Sequence, residues 1–210
     1  MTSPQRRQSE GAPRLRKGER RRQLLAHAKH LFVSLGYHAT TTEKIASAAG
    51  VTEPVLYRHF DSKKALFLEV LGEVRAATLE RWNAETAQLS DPLAKLHAIS
   101  ELYLGTTREH ALEFGVMHRA LLETDDPEVV AMIRGFYLDS EELLASVIAD
   151  GQQTGVFRRP LDPRVGAWEL IRTALGYTLT LPLGVPLYQE PDYLPRANEC
   201  MLHCLLKTDV

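Results

Sequence analysis

Apolar residues recur at three- and four-residue steps along most of this chain, and nowhere do they alternate for more than two or three residues. Such spacing gathers side chains on one face of a helix, whereas a strand needs a period of two. The chain is therefore restricted to all-α architectures. Leu24, Leu25, Ala28, Leu31, Phe32 and Leu35 define a first helix that Gly36 stops. Ile45, Ala46 and Ala49 define a short second helix, with Thr40 and Glu43 at capping-box spacing or the cap one residue later, and Gly50 ends it. Thr52 is placed to cap a third helix over residues 53–59, with Pro54 in its first turn, where a missing N–H costs little. Asp61 or Ser62 caps a fourth, running towards Leu89. Three Asp-Pro pairs, Asp91-Pro92, Asp126-Pro127 and Asp162-Pro163, each open a further helix, and residues 114–122 form an apolar helical stretch between the first two. Pro182, Gly184, Pro186 and Pro191 make residues 182–192 a loop before a last helix over 192–207.

With 210 residues, 44% hydrophobic and 25% charged, the chain has the composition of a globular protein with a substantial core, in one large domain or a small plus a medium one. It has no apolar run of membrane-spanning length. The net charge of −2 conceals an asymmetry. Residues 1–65 carry 13 Lys and Arg against 5 Asp and Glu, a net +8, and the remainder carries a net −10. A basic first third suits a polyanion, and the acidic remainder does not. Residues 1–17 hold five basic side chains, two prolines and few apolar groups, so they are expected to be a disordered basic arm, of the kind that can enter a minor groove or simply solubilise. Arg6-Arg7 is not followed by an apolar segment, and two cysteines cannot make a disulfide framework; a reducing, cytoplasmic location is expected.

The second and third helices, joined by Ala49-Gly50-Val51-Thr52, make a helix-turn-helix. In such a unit the second helix enters the major groove of double-stranded DNA. Gly50 provides a left-handed turn; Ile45, Ala49, Val51 and Leu56 lock the two helices; Thr41, Thr42, Tyr57, His59 and Lys63 suit phosphate contacts. Lys63 stands at a helix N-terminus, where a cation opposes the dipole, so its placement asks for an anion. Phe60 reads as core, and His59 has an alternative reading as a hydrogen-bonded residue beneath the motif.

Gly36-Tyr37, Thr40-Thr41, Ile45-Ala46, Ala49-Gly50-Val51, Leu56-Tyr57, His59-Phe60, Lys63 and Leu66 together closely resemble the signature of the TetR family of bacterial one-component transcriptional regulators. The motif resemblance covers residues 18–68; beyond it only the helical layout, the length and the apolar last two helices are similar. It implies a DNA-binding domain over 18–65 and a larger helical ligand-binding and dimerisation domain over 66–210. It also implies a ligand-responsive regulator, a repressor, that binds a near-palindromic operator as a homodimer and is released by a small hydrophobic ligand. By position, Thr41, Thr42, Tyr57, His59 and Lys63 fall where the family contacts phosphate, and Glu43, Glu53, Pro54 and Val55 where it reads bases. The carboxylates depart from the basic or amide habit of base readers. Glu53 has two open readings, an acceptor for a cytosine amino group and an N-terminal helix cap, while Pro54 and Val55 can meet thymine methyls.

The acidic part has no catalytic signature, so no enzyme activity and no cofactor is expected; Glu141-Glu142 reads as a solvated helix face. The pocket candidates are Tyr103, Phe114, His118, Tyr137, Trp168 and Arg172, drawn from a wider set with Trp82, His110, Met117 and Tyr177. An interior Arg172 beside His118 would suit an anionic head group. The dimer interface is expected from the helices over 163–181 and 192–207, paired with their symmetry mates as a four-helix bundle. The loop over 182–192 either reaches over the partner or covers the pocket. Cys200, His203 and Cys204 share one helix face. Packing is the ordinary role for such thiols, and the rival reading is a metal or redox sensor.

Overall fold

A computed structural model describes residues 16–104, 108–123 and 125–203. Apart from Arg16 and Lys17, the basic arm lies outside the described residues, as do Cys204 and the end of the last helix. The regular elements among the described residues are helices: α1 (Lys17–Ala39), α2 (Thr42–Ala48), α3 (Glu53–Tyr57), α4 (Lys63–Ala87), α5 (Pro92–Leu104), α6 (Arg108–Glu123), α7 (Pro127–Thr154), α8 (Pro163–Thr180) and α9 (Tyr193–His203). Two 3₁₀ turns, Leu181–Leu183 and Pro186–Gln189, shape the segment expected as a loop.

The punctuation of the sequence acts largely where expected. Gly36 interrupts α1 at φ 83° and ψ 170°, a conformation open to glycine alone, and the chain then makes a last turn to Ala39. Asp126 accepts from Glu128 N and Val129 N, and Asp162 from Arg164 N and Val165 N, each just ahead of a proline in the first turn. Ser62 rather than Asp61 caps α4, accepting from Ala65 N at 3.0 Å. The cap of α2 is Thr41, not Thr40. Thr40 is fully buried and donates to Gly36 O and Leu31 O, closing the frayed end of α1. Thr52 occupies the N-cap position of α3 without a side-chain bond, and α3 is two residues shorter than its spacing predicts.

One hydrophobic core runs through the chain. Leu24, Leu25, Ala28 and Phe32 of α1 belong to it with Ile45 of α2, Leu56 of α3 and Leu66 of α4. Phe67 lies with its ring 4.7 Å from those of both Phe32 and Tyr37. α1 also packs along α6. A β-carbon at Gly115 would sit 3.2 Å from Val33 Cγ1, so a small residue there lets α6 come close. The boundary expected at residues 65 and 66 falls inside α4, a single helix whose first turns serve the helix-turn-helix and whose later turns carry Trp82 into the other half.

Glu141 departs from its expected role as a solvated acid. It is 4% exposed and its carboxylate takes bonds from Arg164 Nε and Trp168 Nε1, joining α7 to α8. A residue next to a charged neighbour in sequence can still face inward when a cation and an indole N–H meet it there.

Candidate nucleic-acid interface and ligand cavity

The turn between α2 and α3 follows from local chemistry. Gly50 adopts φ 65°, and Val51 N returns to Ala46 O at 2.9 Å. Ile45 and Leu56 are fully buried and face one another's helices, so Glu43, Pro54, Tyr57 and Arg58 are left on the outside. Tyr57 is 49% exposed, a large aromatic held out of the core beside the N-terminus of α2. Val55 is partly buried, and Thr41 is exposed while capping α2 through its hydroxyl, which accepts from Lys44 N at 3.2 Å.

Two expected phosphate contacts have partners inside the protein. Thr42 is buried and donates to the Glu53 carboxylate, with Tyr57 Oη 3.4 Å from the same hydroxyl. Glu53 therefore tethers the start of α2 to the start of α3, a role that neither of its two sequence readings contains. Lys63 Nζ donates to Tyr37 O at 2.9 Å and Thr40 O at 3.0 Å and lies 4.3 Å from the centroid of the Tyr37 ring. The anion that its position demanded is the carbonyl end of α1, where a cation is favourable. Lys44 Nζ joins it there on Ala39 O at 2.8 Å.

His59 stands among cations. Burial first, then Lys17, Arg21, Arg20 and Arg58, hold its pKa below the usual histidine value, and its buried Nδ1 has no partner among the described residues. Arg21 lies over the Phe60 ring at 4.6 Å and pairs with Glu69. The start of α1 and the end of α3 thus converge on one electropositive corner beside the exposed face of α3.

The second feature is a cavity of about 210 Å³ in the acidic half. Trp82 of α4, Leu96, Ile99 and Tyr103 of α5, and Phe136 and Tyr137 of α7 form one side. Leu170 and Ile171 of α8, with Asn198, Met201 and Leu202 of α9, form the other. Tyr188 from the second 3₁₀ turn, with Tyr177 and Tyr193, closes an end, and these three rings lie 4.9–6.0 Å apart. Tyr103 Oη bonds to His118 Nε2 at 3.1 Å and Thr178 Oγ1 at 3.2 Å. Burial raises the Tyr103 pKa to about 12 and lowers that of His118 to about 4, so both are neutral at physiological pH. Tyr137 also faces an outer groove of about 240 Å³ that it shares with Leu121, Val130, Leu138 and Trp168.

Residues 24–70 match the profile described as bacterial regulatory proteins of the tetR family. The repressor KstR2 of Rhodococcus jostii is 31% identical over 168 residues, spanning 74% of this chain and 80% of that protein. The chain belongs to the TetR family. FasR of Mycolicibacterium smegmatis, a transcriptional activator, is 55% identical over 58 residues, 28% of this chain and 26% of FasR. A regulator from Saccharomonospora viridis, solved with choline, superposes with a TM-score of 0.81 at 26% identity, covering 91% of this chain and all of that one. Members of the family are DNA-binding transcriptional regulators rather than enzymes; they act as dimers and take small-molecule ligands.

Of the six pocket candidates, Tyr103 and Tyr137 line the cavity of this regulator. Phe114 and His118 stand behind Tyr103, the Phe114 ring 4.3 Å from it. Trp168 lies in the outer groove, its indole N–H on Glu141. Arg172 is the correction: it is exposed and pairs with Glu169 one turn away, so it is not the interior cation expected to meet an anionic head group. Its neighbours Ile171 and Thr173 line the cavity, while its own side chain is turned to solvent. Trp82, Tyr177 and the loop residue Tyr188 are lining residues whose signal was present; Asn198 had none, being one polar residue in a helix read for its thiols. Cys200 is exposed in the single chain, and no three His, Cys, Asp or Glu side chains gather as metal ligands among the described residues. No described helix is long and apolar enough to cross a membrane.

Proposed function

We propose that two copies of this chain bind a near-palindromic DNA site through α3, and that a small, largely apolar ligand in the cavity releases them, making the protein a repressor. The observation that carries this reading is the reach of α4. At its start Lys63 holds the end of α1 beneath the helix-turn-helix, and five turns later Trp82 forms part of the cavity wall. A ligand that moves Trp82 moves the base on which α3 sits.

Thr41, Glu43, Pro54, Val55 and Tyr57 form the face presented to DNA, with His59 and its surrounding cations on the flanking phosphates. Thr42, Glu53 and Lys63 act in this reading by holding that face in place. Exposed Val165 and Leu179 on α8, continuing to Leu181, Leu183 and Leu187, supply the apolar surface for a second copy. To change the DNA-bound population from nearly full to nearly empty, ligand must prefer the released form by about 5 kcal/mol. KstR2 is named a repressor and FasR an activator; the repressor reading follows KstR2, which is matched over most of both chains.

Selection of bound duplexes from a random pool tests the reading. A near-palindromic consensus supports a dimeric reader and provides its half-site spacing. Absence of any consensus, from protein unfolded and refolded to strip bound ligand, overturns it.

A further inference from the structure

Two lysines in succession open α4, although a helix N-terminus disfavours a cation. Lys63 meets the carbonyls that end α1. Lys64 reaches across to the acidic half instead: its Nζ lies 2.9 Å from Asp126 Oδ2 and 2.8 Å from Glu128 Oε1. Both carboxylates stand at the start of α7, where the helix dipole favours an acid. Asp126 divides its oxygens between two tasks, Oδ1 accepting from Glu128 N and Val129 N as the helix cap and Oδ2 meeting Lys64. Further along, Arg75 of α4 pairs with Asp139 of α7 at 2.6 Å, its guanidinium passing over Gly135, where a β-carbon would come within 2.7 Å of Nη1. Lys64 and Arg75 are thus two pins between α4 and α7, about 16 Å apart along α4. One pin fixes a point, and two fix a direction. The acidic half also meets the helix-turn-helix end through α6, with Gly115 against Val33 of α1, but an apolar contact has no preferred direction and permits sliding.

We propose that Lys64 is a positioning residue for DNA binding: through Asp126 and Glu128 it sets the angle at which each helix-turn-helix leaves the acidic half, and with it the half-site spacing that two copies accept. The inference rests on the dimeric reading above and adds to it the determinant of spacing. Half-site separation is a geometric property of a dimer, fixed by where its two reading helices stand. Lys64 follows directly on the residue that holds the end of α1, so a change in its link to α7 is passed to the base of α3. The pair is part-exposed, so its contribution to stability is small and its contribution to direction is the larger one. Direct contact of Lys64 with phosphate is disfavoured by the same two carboxylates, which would stand beside it against the DNA anion. The link also gives the cavity a second connection to the reading head, since α7 carries Phe136 and Tyr137 into the wall about three turns beyond Asp126.

The test measures affinity for duplexes that carry the half-sites selected by the parent protein, at the selected spacing and with a base pair or two added or removed. Full-length Lys64→Gln should lower the preference for the selected spacing by about three- to fivefold. Asp126→Asn combined with Glu128→Gln keeps Lys64 and leaves α7 an Asn cap, and it should lower the preference by the same factor. Lys64→Arg should retain the parent's preference. Thermal midpoints of all three should stay within about 3 °C of the parent, which separates a lost angle from a loosened fold. Suppose instead that Lys64→Gln weakens binding equally at every spacing while the carboxylate variant strengthens it at every spacing. Lys64 is then a phosphate contact and the proposal is overturned. It is overturned as well if the preference survives undiminished in both variants, or if it falls only together with the thermal midpoint. A parent with no consensus, or with no preferred spacing, brings down the dimeric reading itself and this inference with it.

Discussion

Lys63 and Thr42 belong to the same lesson in side-chain chemistry. Each was placed by residue type and position against DNA phosphate, and each meets an oxygen of its own chain: the carbonyls ending α1 for Lys63, the Glu53 carboxylate for Thr42. The Thr42–Glu53 bond joins two helices too short to be stable alone. Thr42→Val and Glu53→Ala should therefore be non-additive, with a coupling of about 1 kcal/mol in a double-mutant cycle of unfolding free energies. Additive losses would dissolve the tether. His59 gives the second prediction. Its pKa lies below the ordinary histidine value in the unbound protein, and a phosphate nearby would raise it. Binding would then take up a proton, so affinity for the selected duplex should rise as pH falls through the region where the bound histidine titrates, and His59→Gln should flatten that slope. An unchanged slope in the variant would move His59 out of the interface.

At the scale of elements, the end of α7 shows how one small residue sets a helix junction. Gly155 takes φ 79° and closes the helix, and Val156 N and Phe157 N both return to Gly151 O. Phe157, 1% exposed, then folds back over Gly151, where an added β-carbon would stand 2.0 Å from its ring. The ring is buried in the core. Gly151→Ala should cost about 1–3 kcal/mol of stability, read as a lower thermal midpoint with α-helical content preserved. A midpoint unchanged from the parent would mean that Phe157 repacks freely. α4 is tied to α7 at two places, Lys64 to Asp126 and Glu128 at 2.8–2.9 Å and Arg75 to Asp139 at 2.6 Å. These pairs are part-exposed and contribute little stability each. They do fix the register of the two helices that carry Trp82 and Tyr137 into the cavity.

For the whole molecule, acid sensitivity follows from one buried ring. His118 has a folded pKa of about 4 against an ordinary 6.5, so both states bind it neutral above pH 6.5. Below that the unfolded chain takes a proton that the folded chain refuses, and stability declines until the folded pKa is reached. The loss amounts to about 3 kcal/mol between pH 6.5 and 4. His118→Phe should remove that part of the pH dependence; a denaturation series as steep as the parent's would place the acid lability elsewhere. Association is the other molecular property. Leu179→Lys introduces a charge on the exposed apolar face of α8, and sedimentation should then report a monomer that binds the palindromic duplex much more weakly. A variant that remains dimeric would place the interface on another face.

Local signals determined the helices and the turn that makes the DNA-binding unit. Asp-Pro caps, Gly50 at φ 65° and the apolar spacing of Ile45 and Leu56 act over a few residues, and such signals are written in order along a chain. The all-α class and the family signature were legible for the same reason. Partnership was not. Whether Lys63 faces phosphate or a carbonyl 23 residues away, whether Glu141 faces solvent or Trp168, and which side of α8 holds Arg172 depend on packing between elements. The cavity likewise draws its wall from α4, α5, α7, α8 and α9, which no local signal brings together. Only the tertiary structure decides such matters, because the free energy of a buried polar atom is set by what surrounds it and not by its place in the sequence.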